Sequence, residues 1–145
     1  MAARRDPIDF FETFAAVKRC LTSLAAQTYT NSEEVGSTQA RFIRVIGQRV
    51  RVSQAELARA TETDPALTGR ALQSLIERGW VRRTRSDEDR REYVLDLSPA
   101  GRRAQTRIEK LRAALASKVV SVLEERDLED FDRIAKKLLA AFGGC

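Results

Sequence analysis

Helix-boundary motifs in the middle of the chain constrain its fold more than any other feature. Ser53-Gln54-Ala55-Glu56 has the pattern of a capping box, and Asp64-Pro65 has that of an N-cap followed by proline at the first helical position. Gly79 is suited to a left-handed C-terminal cap, and Ser98-Pro99 repeats the cap-plus-proline pattern. These motifs predict a short helix that begins after Ser53, a second helix that ends before Gly79, and a long helix that begins at Pro99.

Two β-prone runs lie between the second helix and Pro99. Trp80–Arg85 and Glu92–Leu97 are predicted strands, and the segment SDEDRR joins them as a hairpin. A short helix, a turn, a second helix and a hairpin make a winged helix-turn-helix, which we place at residues 38–98. The predicted fold class is therefore mainly α with a small β-wing.

Both ends of the chain carry narrow apolar stripes at helical spacing. In the first helix (8–30) the stripe ends before the polar segment NSEEVGST, which is predicted to break the helix. The region 99–142 predicts two further amphipathic helices, with Asp127 as the N-cap of the second. The stripe residues are Phe10, Phe14, Val17, Leu21 and Leu24, then Ile108, Leu111, Leu115, Val119 and Val122, then Leu128, Phe131, Ile134, Leu138 and Phe142. Such stripes predict dimerisation helices in a homodimer, and an intramolecular bundle is the alternative.

Composition narrows the function classes. The 145 residues are one domain's worth of chain, so we expect a single domain over 1–145, and the net charge of +5 suggests an anionic partner. The chain has no histidine and no clustered carboxylates, so we expect neither an enzyme nor a metal site nor a cofactor. Its two cysteines, Cys20 and Cys145, do not form a disulfide framework, and no apolar run is long enough for a membrane span. We expect a cytoplasmic protein with no membrane partner.

The helix over residues 65–78 has two contrasting faces. Leu67, Thr68, Ala71, Leu72 and Leu75 gather on one side and are predicted to be core. The opposite side carries Ala66, Gly69, Arg70 and Gln73. Small residues let a backbone approach another surface, while arginine and glutamine can hydrogen-bond base edges or phosphates in a major groove of double-stranded DNA. The alternative is an ordinary solvent-exposed face with a tolerated glycine.

The predicted hairpin is rich in arginine. Arg90 and Arg91 at its tip are suited to a narrow minor groove, where negative potential is concentrated. Asp89 is positioned to bridge to Arg91 and orient it. The strand arginines are candidates for phosphate contacts: Arg82, Arg83 and Arg85. The alternative is a solvated charged loop.

The segment 53–102 resembles the MarR family of bacterial transcription regulators. The resemblance rests on S-Q-x-E-L-A at the first helix, E-R-G-x-V-x-R after the second helix, and D-R-R with V-x-D-L-S-x-x-G in the wing. It implies an obligate dimer whose two lobes bind a pseudo-palindromic operator, most often as a repressor. Arg91 matches the family's wing-tip arginine, Asp89 its orienting aspartate and Arg70 a common recognition-helix arginine. Many relatives carry Ser or Thr at Ala66, Leu67 and Gly69, so base recognition here is expected to be sparse.

The resemblance also implies release from DNA by a small ligand or by oxidation. One branch of the family senses hydroperoxides through a cysteine in the first helix, where this chain has Cys20, although an inert buried cysteine is the alternative. Tyr29 and Arg41 are candidates to bind a phenolic or other aromatic acid. A second class of function stays open, in which the protein is a winged-helix interaction module that has lost DNA binding.

Overall fold

The capping motifs form the hydrogen bonds that the sequence predicts. In this computed structural model, which describes residues 5–49 and 51–144, Ser53 Oγ accepts from the Glu56 amide at 3.0 Å and Glu56 Oε2 accepts from the Ser53 amide at 3.3 Å. Asp64 Oδ1 accepts from the Ala66 and Leu67 amides, and Gly79 adopts a φ of +75°. The two central helices therefore begin and end where local chemistry places them.

Six helices and three short strands make up the described chain, so the predicted class, mainly α with a small β-wing, is confirmed. The described residues form two compact units that divide between Arg112 and Ala113, within the fifth helix. Cys145 itself lies outside the described residues. The elements are α1 (Pro7–Glu33), α2 (Ser37–Gln48), β1 (Val52–Ser53), α3 (Gln54–Ala60), α4 (Pro65–Glu77), β2 (Val81–Arg85), β3 (Tyr93–Leu97), α5 (Pro99–Val120) and α6 (Glu125–Phe142).

The predicted hairpin is present as β2 and β3, which pair antiparallel with Val81 opposite Leu97 and Arg85 opposite Tyr93. We call this hairpin, with its connecting loop, the wing. Each strand begins one residue later than predicted. On the other edge of β3 lies β1, a two-residue strand that was not predicted because so short a run has no detectable alternation.

Helix α2 supplies much of the core of the winged helix-turn-helix region, which we call the lobe. The sequence analysis did not predict this helix. Phe42, Ile43 and Ile46 are buried and pack with residues of α3, α4 and β3. The helix begins after Gly36, whose amide donates to the Gln39 side chain at 3.1 Å. The signal was available in the sequence, because the apolar pair at 42–43 recurs at 46 with helical spacing.

The burial of two apolar side chains differs from the predictions. Leu67, predicted to be core, is 44% exposed because it lies in the first turn of α4, at the edge of the apolar face. Ile108, assigned to a terminal stripe, is fully buried in the core of the lobe. Part of the apolar face of α5, including Ile108, therefore packs in the core of the winged helix-turn-helix region.

Two helix boundaries also differ. Helix α1 continues to Glu33, beyond the predicted break, and ends at Glu34 in the left-handed region with φ 56°. Asp127 is not the N-cap of α6, because Glu124 occupies that position. Asp127 Oδ2 instead accepts from the Glu124 amide at 2.9 Å, the return bond of a capping box.

Helices α1 and α6 each expose large apolar side chains. On α1, Phe11 is 66% exposed, and Ile8, Phe10, Phe14, Val17 and Leu21 are also exposed. On α6 the exposed apolar residues are Phe131, Ile134, Leu138, Leu139 and Phe142. Among the described helices, none is long and apolar enough to cross a lipid bilayer.

The base of the wing depends on a close approach at Gly101. A Cβ atom at this position would lie 2.0 Å from the Trp80 carbonyl oxygen, a backbone atom that cannot swing aside. Ser98 Oγ closes the same junction by accepting from the Gly101 amide at 3.0 Å. The glycine of the motif V-x-D-L-S-x-x-G is therefore required by packing.

Substitution of alanine at two glycines should change stability in opposite directions. Gly101→Ala should lower the free energy of unfolding by about 1–3 kcal/mol or more, because the backbone must shift to admit the methyl group. At Gly69, in α4, an added Cβ atom would contact only Gln54 Nε2, at 3.8 Å. Gly69→Ala should therefore raise the free energy of unfolding by roughly 0.5–1 kcal/mol. Urea unfolding of both variants measures the two effects, and a destabilised Gly69→Ala would contradict the open space seen at that position.

Candidate nucleic-acid interface

The exposed face of α4 carries the residues that the sequence predicted there. Ala66, Arg70 and Gln73 are exposed and Gly69 is half-buried. Gln73 Nε2 donates to Glu77 Oε1 at 3.3 Å, so the predicted base-reading amide has an acidic neighbour one turn away. Glu77 was missed as a member of this face, although its spacing from Gln73 is that of adjacent positions on a helix.

A side chain at Gly69 would not clash with the rest of the protein. The nearest heavy atom to a Cβ built there is Gln54 Nε2, at ordinary contact distance. Glycine within a helix costs roughly 1 kcal/mol relative to alanine, and the packing of the lobe does not require it here. The small surface at this position is therefore free to be approached from outside.

The loop of the wing is ordered by its own side chains. Ser86 Oγ accepts from the Glu88 and Asp89 amides, and the Ser86 amide donates to the Glu92 carbonyl at 2.9 Å. Asp89 Oδ1 accepts from the Arg91 backbone amide at 3.0 Å. This corrects the predicted bridge, because within the described residues Asp89 pairs with the backbone and forms no ion pair with the Arg91 guanidinium.

Arg90 and Arg91 project from this ordered loop. Both are exposed, and neither guanidinium forms a hydrogen bond or ion pair within the described part of the chain. Arg91 and Tyr93 line one side of a cleft of about 690 Å³ whose other side includes Pro65 and Thr68 of α4. The wing and the first turn of α4 are therefore neighbours on one surface.

The strand arginines do not form one row. Arg83 is opposite Leu95 and Arg85 opposite Tyr93, whereas Arg82 is opposite Asp96, so the strand pleat directs Arg82 to the other face. Arg82 Nη2 lies 2.7 Å from Asp96 Oδ2 in an exposed ion pair.

Arg83 and Arg85 share the Tyr93 ring. Their Cζ atoms lie 4.8 and 4.9 Å from its centroid, and Arg85 donates to the Arg90 carbonyl and to Tyr93 Oη at 3.2 Å. Arg85 therefore ties the strand to the loop that carries Arg90.

Two of the three candidate effector residues lie together, away from the wing. Tyr29 and Arg41 line a cavity of about 140 Å³ with Ser37, Arg44 and Arg112. Arg41 Nη1 donates to the Thr61 carbonyl at 3.1 Å, and Ser37 Oγ is buried without a hydrogen-bond partner among the described residues.

Cys20 is separate from this cavity. It is exposed on α1, which differs from the buried position weighed from the sequence. Nine residues at about 100° each place it and Tyr29 on opposite faces of the helix. Within the described residues, no group of three or more His, Cys, Asp or Glu side chains is arranged to hold a metal ion.

Comparison with known proteins points to one family. Residues 35–92 match the model of the MarR family. The chain is 29% identical over 97 residues to the HTH-type transcriptional regulator BilQ of Clostridium symbiosum, covering 67% of each protein. It is 34% identical over 84 residues to a putative transcriptional regulatory protein for the hcr operon of Thauera aromatica, covering 58% of this chain and 51% of that protein.

A solved structure extends the likeness in fold to nearly the whole chain. Streptococcus pneumoniae FabT, crystallised in complex with DNA, superposes with a TM-score of 0.80 at 18% identity. The superposition covers 96% of this chain and 99% of that one. The terminal helices, which the family model does not reach, thus have counterparts in a known winged-helix architecture.

The role of Asp89 in ordering the wing can be measured without any ligand. Asp89→Ala should accelerate hydrogen exchange of the Arg91 amide several-fold, because that amide loses its acceptor. NMR-detected exchange gives the rate residue by residue. Asp87→Ala is the matched control, since the Asp87 side chain makes no hydrogen bond among the described residues, and equal effects of the two substitutions would contradict the assigned contact.

Proposed function

Because residues 35–92 match the MarR family model and the chain resembles HTH-type transcriptional regulators, we propose that it is a MarR-family regulator that binds a pseudo-palindromic DNA operator as a homodimer and represses transcription from it. Helix α4 enters the major groove and the wing reaches an adjacent minor groove. The observation that carries this proposal is the placement of Arg70 on α4 and Arg91 on the wing. Both are exposed on neighbouring elements, and their guanidinium groups have no partner in the described chain.

The open surface at Gly69 supports α4 as the element that approaches DNA. Ala66 and Gly69 leave the helix backbone accessible, while Arg70 and Gln73 extend beyond it. A guanidinium can bond guanine or a phosphate, and an amide can bond adenine once Gln73 turns away from Glu77. The acidic Glu77 lies at the end of the same face and disfavours any placement that brings a phosphate to it.

The apolar surfaces of the terminal helices support the homodimer. Phe10, Phe14 and Val17 of α1 are exposed, and a separate exposed set lies on α6. Contiguous exposed apolar surface of this kind marks association sites in soluble proteins. A second copy carries the same surfaces, and a two-fold arrangement presents two α4 helices to two half-sites. Occupation of an operator by such a dimer excludes other proteins from it, which is the basis of repression.

The proposal is tested by selecting duplexes from a randomised pool with the purified protein and measuring affinity across salt concentrations. We expect a two-fold symmetric site, two chains per duplex, and an affinity that falls steeply with salt as phosphates are neutralised. Selection of no symmetric site would overturn DNA recognition and favour the alternative, an interaction module that has lost DNA binding.

Substitution of the wing-tip arginine Arg91 tests the role of the wing most directly. Arg91→Ala should weaken operator binding by about 1–3 kcal/mol, because the side chain at the wing tip no longer enters the groove. Arg82→Ala is the matched control: it removes the same charge from the same wing, but its guanidinium is already paired with Asp96. Fluorescence anisotropy on the selected operator measures both, and equal losses would mean that the wing acts through its net charge rather than through its tip.

The cavity at Tyr29 supports release from DNA by a small anionic ligand. Three arginines line it, Ser37 Oγ offers an unpaired hydroxyl, and this serine lies in the first turn of α2, where the helix dipole favours negative charge. At about 140 Å³ the cavity is smaller than sites for drug-sized ligands, and its arginines favour a small anion, for which we propose a single-ring aromatic carboxylate. The distance of Cys20 from Tyr29 around α1 disfavours an oxidative mechanism that uses both.

Benzoate is a suitable probe for this cavity. It should bind the free protein and weaken operator binding, and Arg44→Gln should raise its Kd by about tenfold or more, because a hydrogen bond to a charged group contributes roughly 1.5–3 kcal/mol. Calorimetry measures the binding. Arg49→Gln, at the C-terminal end of α2 and outside the cavity lining, is the control, and an unchanged benzoate Kd in Arg44→Gln would remove the cavity from consideration.

A further inference from the structure

The C-terminal end of α4 is joined to the C-terminal end of α1 by one side chain. Arg78 Nη1 donates to the Glu34 carbonyl at 3.1 Å, and Arg78 Nη2 donates to the Glu33 carbonyl at 2.9 Å. The last carbonyls of a helix have no partner within it and carry the negative end of its dipole. A cation from a helix more than forty residues away therefore caps α1.

A second layer of contacts surrounds this cap. The Glu33 carboxylate, whose side chain is only 10% exposed, pairs with Arg107 of α5 at 2.9 and 3.2 Å. The Trp80 ring lies beside both cations, with Arg78 Cζ 4.1 Å and Arg107 Cζ 5.9 Å from its centroid. We call Glu33, Glu34, Arg78, Trp80 and Arg107 the α1–α4 clamp. It joins three helices at one point beside the base of the wing.

We propose that Arg78 is a positioning residue for DNA recognition, which sets the orientation of α4 relative to α1. Its planar guanidinium reaches two successive carbonyls with two nitrogens, a fork that the single ammonium of lysine does not reproduce. The consequence for DNA rests on the proposed function, in which α1 belongs to the dimer surface. A fixed α1–α4 orientation then fixes the spacing of the two α4 helices, and this spacing must match half-sites one helical turn apart.

Binding to a whole operator and to a single half-site separates positioning from direct contact. With both lobes in register, the second half-site is bound intramolecularly, at a high effective concentration. A lobe that is loosely oriented keeps its own contacts with one half-site but loses this advantage. A residue that only contacts DNA, or that only stabilises the fold, affects the two duplexes in parallel.

The test compares wild type, Arg78→Gln and Arg78→Lys on the selected operator and on a duplex that holds one half-site. For Arg78→Gln we expect operator affinity to fall by about tenfold or more while half-site affinity stays unchanged. Arg78→Lys should fall between wild type and Arg78→Gln, because it keeps the charge but not the fork. Arg103→Gln, an exposed arginine of α5 outside the clamp, should resemble wild type on both duplexes.

A fluorescence measurement reports on the clamp in the absence of DNA. Trp80 is the only tryptophan in the chain, so its emission reflects the removal of the guanidinium beside it. We expect an altered emission in Arg78→Gln and a wild-type spectrum in Arg103→Gln. Thermal unfolding establishes whether the variants are folded at the temperature of the binding measurements. If Arg78→Gln is unfolded at that temperature, Arg78→Lys is compared with wild type instead.

The outcomes distinguish this inference from the function on which it rests. If wild type selects a symmetric operator but Arg78→Gln binds it equally well, the positioning role is wrong and the proposed function stands. Parallel losses on operator and half-site would also overturn positioning, in favour of direct contact or a general loss of structure. If wild type selects no operator, the proposed function fails and the positioning role fails with it, whatever Trp80 reports about the contact itself.

Discussion

The junction at Ser98 is the contact on which the arrangement of α4 and the wing depends. Its hydroxyl donates to the Gly79 carbonyl at the end of α4 and accepts from the Gly101 amide at the start of α5. Its backbone amide donates to the Trp80 carbonyl at 3.0 Å, next to the first residue of β2. One serine thus joins the exit from α4, both strands of the wing and the entry to α5. The absence of a side chain at Gly101 lets these backbones meet, and the α1–α4 clamp lies immediately beside them through Trp80.

The elements that the sequence predicted best are those whose boundaries are set by local hydrogen bonds. Ser53 and Asp64 cap α3 and α4 through amides two or three residues away, so the chemistry is contained within a short stretch of sequence. The hairpin is local in the same sense. Helix α2 lacks such a signal: its N-cap is Gly36, which offers no side-chain hydrogen bond, so only the spacing of Phe42, Ile43 and Ile46 marks it. Leu67 shows the limit of a helical wheel: the wheel gives a direction, but it does not say how far the neighbouring elements extend to cover the first turn.

The sequence predicted which residues lie at the candidate site, but it predicted their contacts less well. The exposed face of α4 and the loop arginines lie where the sequence placed them. The partners of those arginines depend on strand register and on contacts between distant segments. Arg82 pairs with Asp96 because the two are opposite each other in the hairpin, and Arg78 finds its carbonyls on a helix far away in the sequence. Composition cannot separate an arginine that is already paired from one that is available to a ligand.

In the proposed dimer, α4 offers few base-reading side chains. The spacing of the two lobes therefore contributes a larger share of the specificity for DNA sequence. On the exposed face of α4, Arg70 and Gln73 are the donors proposed to reach base edges, and each good bidentate contact discriminates by about 1–3 kcal/mol. In the proposed complex, the wing adds a preference for groove shape rather than for particular bases. In the proposed homodimer, discrimination from one lobe is therefore modest, and the remainder comes from requiring two half-sites at one spacing. The requirement for one spacing depends on a fixed orientation of α4 relative to α1, since a lobe that rotates freely can bind half-sites at many spacings. In the proposed complex, the rigidity of the joint between α1 and α4 therefore determines which operator sequences the protein distinguishes.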